Sequence, residues 1–148
     1  MYRKILQGLL AALFLGVAFA ASAGDFGAAP EARAMLEKAA TALKADKAGA
    51  LVSFTKGEGG FKDRDLYPFC GGPDGLFSAH PSLVGKSLRD LKDKTGKAMG
   101  QDIYKAAHEG KIAEVAYTWP RPGTMEPVQK VSYVTKVGDQ VCAVGYYK

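Results

Sequence analysis

Two aromatic residues spaced two apart, Tyr117 and Trp119, point to the same face of any strand that holds them, and Val115 extends that row. In the following apolar run Val131, Tyr133 and Thr135 share one face, while Lys130 and Ser132 take the other. An aromatic wall with a few convergent polar groups is the make-up of a small-molecule site. Lys130 is the residue that would decide the chemistry. A buried strand lysine needs a carboxylate or carbonyl partner for its ammonium, and a small organic acid such as pyruvate, acetate or lactate would supply one. Each aromatic residue is equally at home in a packed core, where its polar atom still needs a partner.

Other chemistries lack their residues. His80 and His108 stand far apart, so no metal site is expected. His80 reads as a hydrogen-bonding core residue before Pro81, and His108 as the last turn of a helix, where imidazolium suits the negative end. There is no Cys-x-x-Cys-His for a haem, and the Gly57–Gly60 loop lacks the Gly-Lys-Ser/Thr ending of a phosphate loop. That loop reads as a mobile connection able to fold over a ligand. Without a nucleophile elbow, paired catalytic carboxylates or a dinucleotide fingerprint, the chain is expected to bind rather than catalyse, and to need no cofactor.

The amino terminus sets the compartment in which these residues work. Arg3 and Lys4 precede an apolar stretch, Ile5 to Phe19, and Ala21-Ser22-Ala23 has the small-residue pattern of a cleavage site. The stretch falls short of the ~20 apolar residues that span a membrane. Residues 1–23 are therefore expected to be a signal peptide, and 24–148 one exported domain in the periplasm or outside the cell, with no stable membrane insertion after cleavage. The formal charge of +5 drops to +3 without Arg3 and Lys4, and Lys and Asp alternate, as in Lys92-Asp93-Lys94. That is a solvated surface, not the clustered basic patch of a nucleic-acid binder. In an oxidising compartment the two cysteines, Cys70 and Cys142, suggest one bridge, the alternative being two buried thiols.

The periodicity supplies the elements that must position the candidate residues. A helix is expected from Pro30 to about Lys47, with Met35, Leu36, Ala39 and Leu43 inward, and a second from Ala48 to Phe54 with Leu51 and Phe54 inward. The Gly-rich run to Gly60 ends it. Alternation then predicts strands over Asp65–Cys70 and Leu76–His80 around a Gly71–Gly75 turn. A short helix is expected around Ser87–Leu91 and a longer one from Lys97 to Glu109, stopped by Gly110. Strands over Lys111–Trp119, Val128–Val137 and Gln140–Tyr147 close the chain. The fold class is α+β, with a five-stranded, mostly antiparallel sheet.

Several segments together make the chain resemble the single Cache domain, the extracellular PAS-like sensor module of chemoreceptors and histidine kinases. They are Phe54-Thr55-Lys56-Gly57 with Gly60-Phe61, Asp65-Leu66-Tyr67, Asp74-Gly75, Ala79-His80-Pro81 and Leu83-Val84-Gly85-Lys86. The run continues through Tyr117-Thr118-Trp119, Pro122 and Lys130 to Val134, and ends at Val144-Gly145-Tyr146-Tyr147. The resemblance implies strand order 2-1-5-4-3, a ligand on one sheet face and the long N-terminal helix on the other. It places Tyr67, His80, Tyr117, Trp119, Lys130 and Tyr133 in the pocket, with Arg121 at the rim. Lys130 and Tyr133 have opposite parity, so one of them needs a bulge or lies elsewhere. The implied order makes Cys70 and Cys142 neighbours, and a bridge there would contribute about 4 kcal/mol on the chain-entropy model.

What the resemblance implies is an extracytoplasmic sensor for a small organic acid. With no signalling domain after Lys148, it would relay occupancy to a separate membrane receptor or histidine kinase, as in chemotaxis. Arg121 stands where such domains often carry Asn, so the ligand is left open. The alternative is a periplasmic interaction or structural subunit whose sheet face is filled by its own side chains.

Overall fold

The computed structural model describes residues 24–148, so the signal-peptide expectation for 1–23 lies outside the described residues. Helix α1 spans Ala29–Ala45, with Pro30 in its first turn and Ala32, Met35, Leu36, Ala39 and Leu43 buried along one stripe. The Glu31 carboxylate accepts the Ala28 backbone N–H at 2.7 Å, which satisfies one of the donors that a helix start leaves open. Asp46 is extended and separates α1 from α2, Lys47–Lys56, which it caps by accepting the Gly49 N–H at 3.1 Å. Helix α2 buries Ala50 and Phe54, whereas Leu51 is only half-buried. Gly57 ends it in the left-handed region, φ 70°, which glycine adopts without strain.

Five strands follow around a third helix: β1 Pro68–Gly71, β2 Phe77–Ala79, α3 Met99–Ala106, β3 Ala113–Pro120, β4 Pro127–Val137 and β5 Gln140–Tyr147. The sheet has the order β2-β1-β5-β4-β3 and every pairing is antiparallel. Helices α1 and α2 cover one face. There Leu36, Phe54, Phe61, Cys142 and Val144 form one core. Helix α3 and the long connection from β2 cover the other, over Phe69, Leu88, Ile103, Val115 and Val134. Cys70 and Cys142 face each other in the β1–β5 register and are joined by a disulfide, S–S 2.05 Å, on the α1 side.

Three expected elements differ for identifiable reasons. The first strand begins at Pro68 and not at Asp65, because Asp63 and Leu66 close a turn on each other through their backbones. In that turn Arg64 adopts φ 54° and donates to the Gly24 and Phe26 carbonyls. No helix forms at Ser87–Leu91. The Leu88 and Arg89 N–H groups are both taken by the Gly75 carbonyl, and Ser87 bridges to Leu76. Helix α3 is shorter than expected at both ends. Lys97 is drawn into a turn by Asp93, whose Oδ1 accepts the Thr95 and Lys97 N–H groups. At the other end Ala107 is already extended, so His108 lies outside the helix, and its carbonyl accepts the Lys111 and Lys136 N–H groups. Gly110 sits in the turn beyond, with φ 69°, and does not stop the helix.

Candidate functional site

Strand β4 supplies the central group. In the cross-strand register Lys130 lies opposite Tyr117 of β3 and Tyr147 of β5, so a Tyr–Lys–Tyr row crosses the sheet on the face away from α1. The lysine stem then passes over β5. A methyl group at Gly145 would lie 2.4 Å from Lys130 Cε and 2.4 Å from Ser132 Oγ, so the bare glycine is what leaves the stem its path. The ammonium reaches the entry to β1, where it donates to Tyr67 Oη at 3.1 Å. It stands 4.5 Å from the Tyr67 ring centroid, 4.9 Å from Tyr147 and 5.7 Å from Phe69. Lys130 is 1 % exposed.

The chamber around it is aromatic. Phe69, Phe77 and His80 form one wall, Tyr117 and Trp119 another, and Leu91 and Met99 the roof. No acidic side chain is among the described residues that line it. Asp65, a nearby buried carboxylate, is committed elsewhere: it accepts the Gly27 N–H at 2.7 Å and pairs with Arg121 at 3.3 Å. The Lys130 cation is thus met by one hydroxyl and by ring faces, which attract cations through their quadrupoles. Burial opposes its charge. The surrounding oxygens of Tyr117, Tyr67 and Tyr147 act in the opposite direction and favour the protonated amine.

Burial raises the pKa of Tyr117, and likewise of Tyr147, so both phenols are protonated at neutral pH. Their hydroxyls are engaged: Tyr117 Oη bonds Ser132 Oγ at 2.7 Å, and Tyr147 Oη donates to the Pro120 carbonyl at 2.8 Å. His80 is the opposite case. Burial, reinforced by the Lys130 charge, pushes its pKa down to about 4, and it is neutral at pH 7. Its Nδ1 accepts the Ser82 N–H at 3.0 Å, which leaves the ring proton on Nε2. A neutral donor and a cation therefore share one low-dielectric chamber, a combination suited to an anion.

The free volume is about 10 Å³, room for roughly one water. Beyond Tyr67, His80 and Trp119 opens an outer cleft of about 320 Å³, bounded by Pro81, Pro120, Pro122 and Arg121. Among the described residues no group of three His, Cys, Asp or Glu could hold a metal.

Of the residues singled out from sequence, Tyr67, His80, Tyr117, Trp119 and Lys130 meet in the chamber, and Arg121 lies on the outer cleft. Tyr133 is a correction. It has the parity opposite to Lys130 and packs on the α1 side, 6.0 Å from the Tyr146 ring with Arg33 over its face. The Gly57–Gly60 loop is another. Gly59 is tied to Lys38 of α1, and the chamber's roof comes from Leu91 and Met99 instead. Phe69, Phe77, Tyr147 and Gly145 went unrecognised as site residues. A glycine inside a strand, two residues before a tyrosine, was the available signal for close approach.

A family model described as the Cache domain matches residues 58–146, which covers β1 to β4, all of β5 but Tyr147, and the residues lining the chamber. The methyl-accepting chemotaxis protein McpP of Pseudomonas putida is 36 % identical over 59 residues, 40 % of this chain but 11 % of that much longer protein. Among solved structures, the periplasmic sensor domain of a chemotaxis protein superposes with a TM-score of 0.60 at 23 % identity, over 78 % of this chain and 87 % of that one. A second, a Cache chemosensory domain solved for the structural basis of its carboxylic acid recognition, gives 0.55 at 24 % identity over 78 % and 85 %. The strand order, the basic aromatic chamber on the face away from α1 and a family match over most of the described residues agree: the chain belongs to the Cache domain family of sensor modules.

Proposed function

We propose that this domain is an extracytoplasmic, non-catalytic sensor that holds a small organic monocarboxylate against Lys130 and relays occupancy to a separate membrane receptor or kinase. The observation that carries the reading is a lysine, 1 % exposed, with no carboxylate partner among the described residues around it. A buried ion without a counterion is costly, and a ligand carboxylate would complete the pair. His80 Nε2–H and the Tyr67 hydroxyl are neighbouring donors. A chamber lined by no described acidic residue disfavours amino acids, whose ammonium would go unpaired. The carboxylic acid recognition ascribed to the second structural neighbour points the same way. Among the described residues no helix is long and apolar enough to cross a membrane.

One observation favours a second reading. The chamber is nearly full of the protein's own side chains, as expected of an interaction or structural subunit that binds nothing there. A thermal-shift screen with monocarboxylates, dicarboxylates, amino acids and amines separates the two, because a ligand for the native state raises the melting temperature by mass action. The sensor reading expects shifts from monocarboxylates and none from amines. It also expects Lys130→Met to fold with its melting temperature kept or raised, since a buried charge is replaced by an apolar chain, and to lose every shift. Flat curves for the unsubstituted protein across the panel would leave the interaction subunit standing.

A further inference from the structure

The chamber around Lys130 and the outer cleft share three lining residues, Tyr67, His80 and Trp119, so they are adjacent compartments. We propose that the outer cleft is the tail compartment of the ligand site, and that the protein prefers carboxylates bearing an apolar tail over compact acids. This rests on the carboxylate reading of Lys130 and narrows it.

The volumes argue first. The inner chamber, about 10 Å³, has space for one water. An acid lodged there whole would have to displace several packed rings. The outer cleft, about 320 Å³, already falls in the range of small-molecule pockets. An acid that sends only its carboxylate past the shared lining residues leaves its remaining atoms in space that exists.

The chemistry of the cleft argues second. Arg121 is the one charged residue among the described residues that line it, and its charge is spoken for. Its guanidinium pairs with Asp65 at 3.3 Å and lies between two rings, 4.1 Å from the Phe26 centroid and 5.1 Å from Tyr147. A second carboxylate would therefore find no free cation. Pro81, Pro120 and Pro122 offer no backbone N–H, and the Thr124 hydroxyl is spent on the Arg121 carbonyl at 2.9 Å. With the Trp119 indole they form a rigid wall with few donors, which suits an alkyl or aryl group.

Titration calorimetry of the purified protein with acetate, butyrate, hexanoate and phenylacetate, with hexanol as the headless control, tests this directly. The expected result is a dissociation constant that falls by about fourfold for each added methylene until the cleft is full. Phenylacetate should bind among the tightest and hexanol should give no heat. Trp119→Ala should flatten the dependence on tail length. Affinity that is level along the series, or greatest for acetate, would overturn the tail compartment and leave the anion site intact. Failure of every acid to bind would overturn the carboxylate reading, and this inference with it.

Discussion

At the scale of the residue, two groups in one chamber titrate in opposite senses. At Lys130 the surrounding hydroxyl oxygens favour the ammonium against burial, while His80 stays neutral because burial and the neighbouring cation both penalise imidazolium. The His80 pKa, down to about 4 from an ordinary 6.5, has a consequence for stability. Between those values the unfolded chain takes up a proton that the folded one refuses, so stability falls as pH drops from about 6.5 to about 4, by on the order of 3 kcal/mol. Urea denaturation across that window should show the loss, and His80→Gln should remove most of it. Equal slopes for both proteins would place the acid sensitivity elsewhere. Lys130 was legible as a pocket residue through the Cache resemblance, and parity set it on the face opposite Val131 and Tyr133. Parity could not say which of Lys130 and Tyr133 faced the chamber. The path of the lysine stem was not legible, because it depends on Gly145 of a different strand lying directly beneath.

At the scale of the element, the roof and the edge of the sheet are fixed by one carboxylate. Asp93 Oδ2 accepts the Thr118 N–H of β3 at 2.9 Å, while its Oδ1 organises the Thr95–Lys97 turn. These bonds hold its pKa down to about 2 against the opposing effect of burial. They tether the connection that carries Leu91 and leads into α3 at Met99 to the free edge of β3, and Lys97 adds a bond to the Ala116 carbonyl there. An edge strand whose donors and acceptors are taken is protected from pairing with another chain. None of this was readable as a pattern: Lys92-Asp93-Lys94 looks like any solvated charge run, and the expected helix at Ser87–Leu91 competes with backbone bonds to a distant glycine. The long β4 and β5 strands were legible almost to the residue, because alternation over eight or more positions leaves little choice of register. On the opposite face the Cys70–Cys142 bridge joins β1 to β5 across a sequence separation of 72 residues. On the chain-entropy model it contributes about 4 kcal/mol. Reduction, or Cys70→Ala with Cys142→Ala, should lower the melting temperature by on the order of 10 °C, read by calorimetry with and without reductant. An unchanged melting temperature would mean the bridge adds nothing to the folded sheet.

At the scale of the whole molecule, the sheet separates two tasks. The α1 face is a conventional core, stapled by the disulfide and closed by Leu36, Phe54 and Val144. The other face keeps a buried cation within a ring of aromatic side chains and leaves an open cleft just outside it. A fold selected for stability alone would gain by replacing that cation with an apolar residue. Its retention makes sense if the chamber opens at Tyr67, His80 and Trp119 and an incoming carboxylate completes the ion pair. The most direct test is a crystal structure of the protein grown with hexanoate. The expected density has a carboxylate oxygen within hydrogen-bonding distance of Lys130 Nζ, with one or more of the Tyr67, His80 and Trp119 side chains rotated and the alkyl chain against Trp119. A chamber still packed as in the free protein, with the acid absent or bound to another surface, would contradict it.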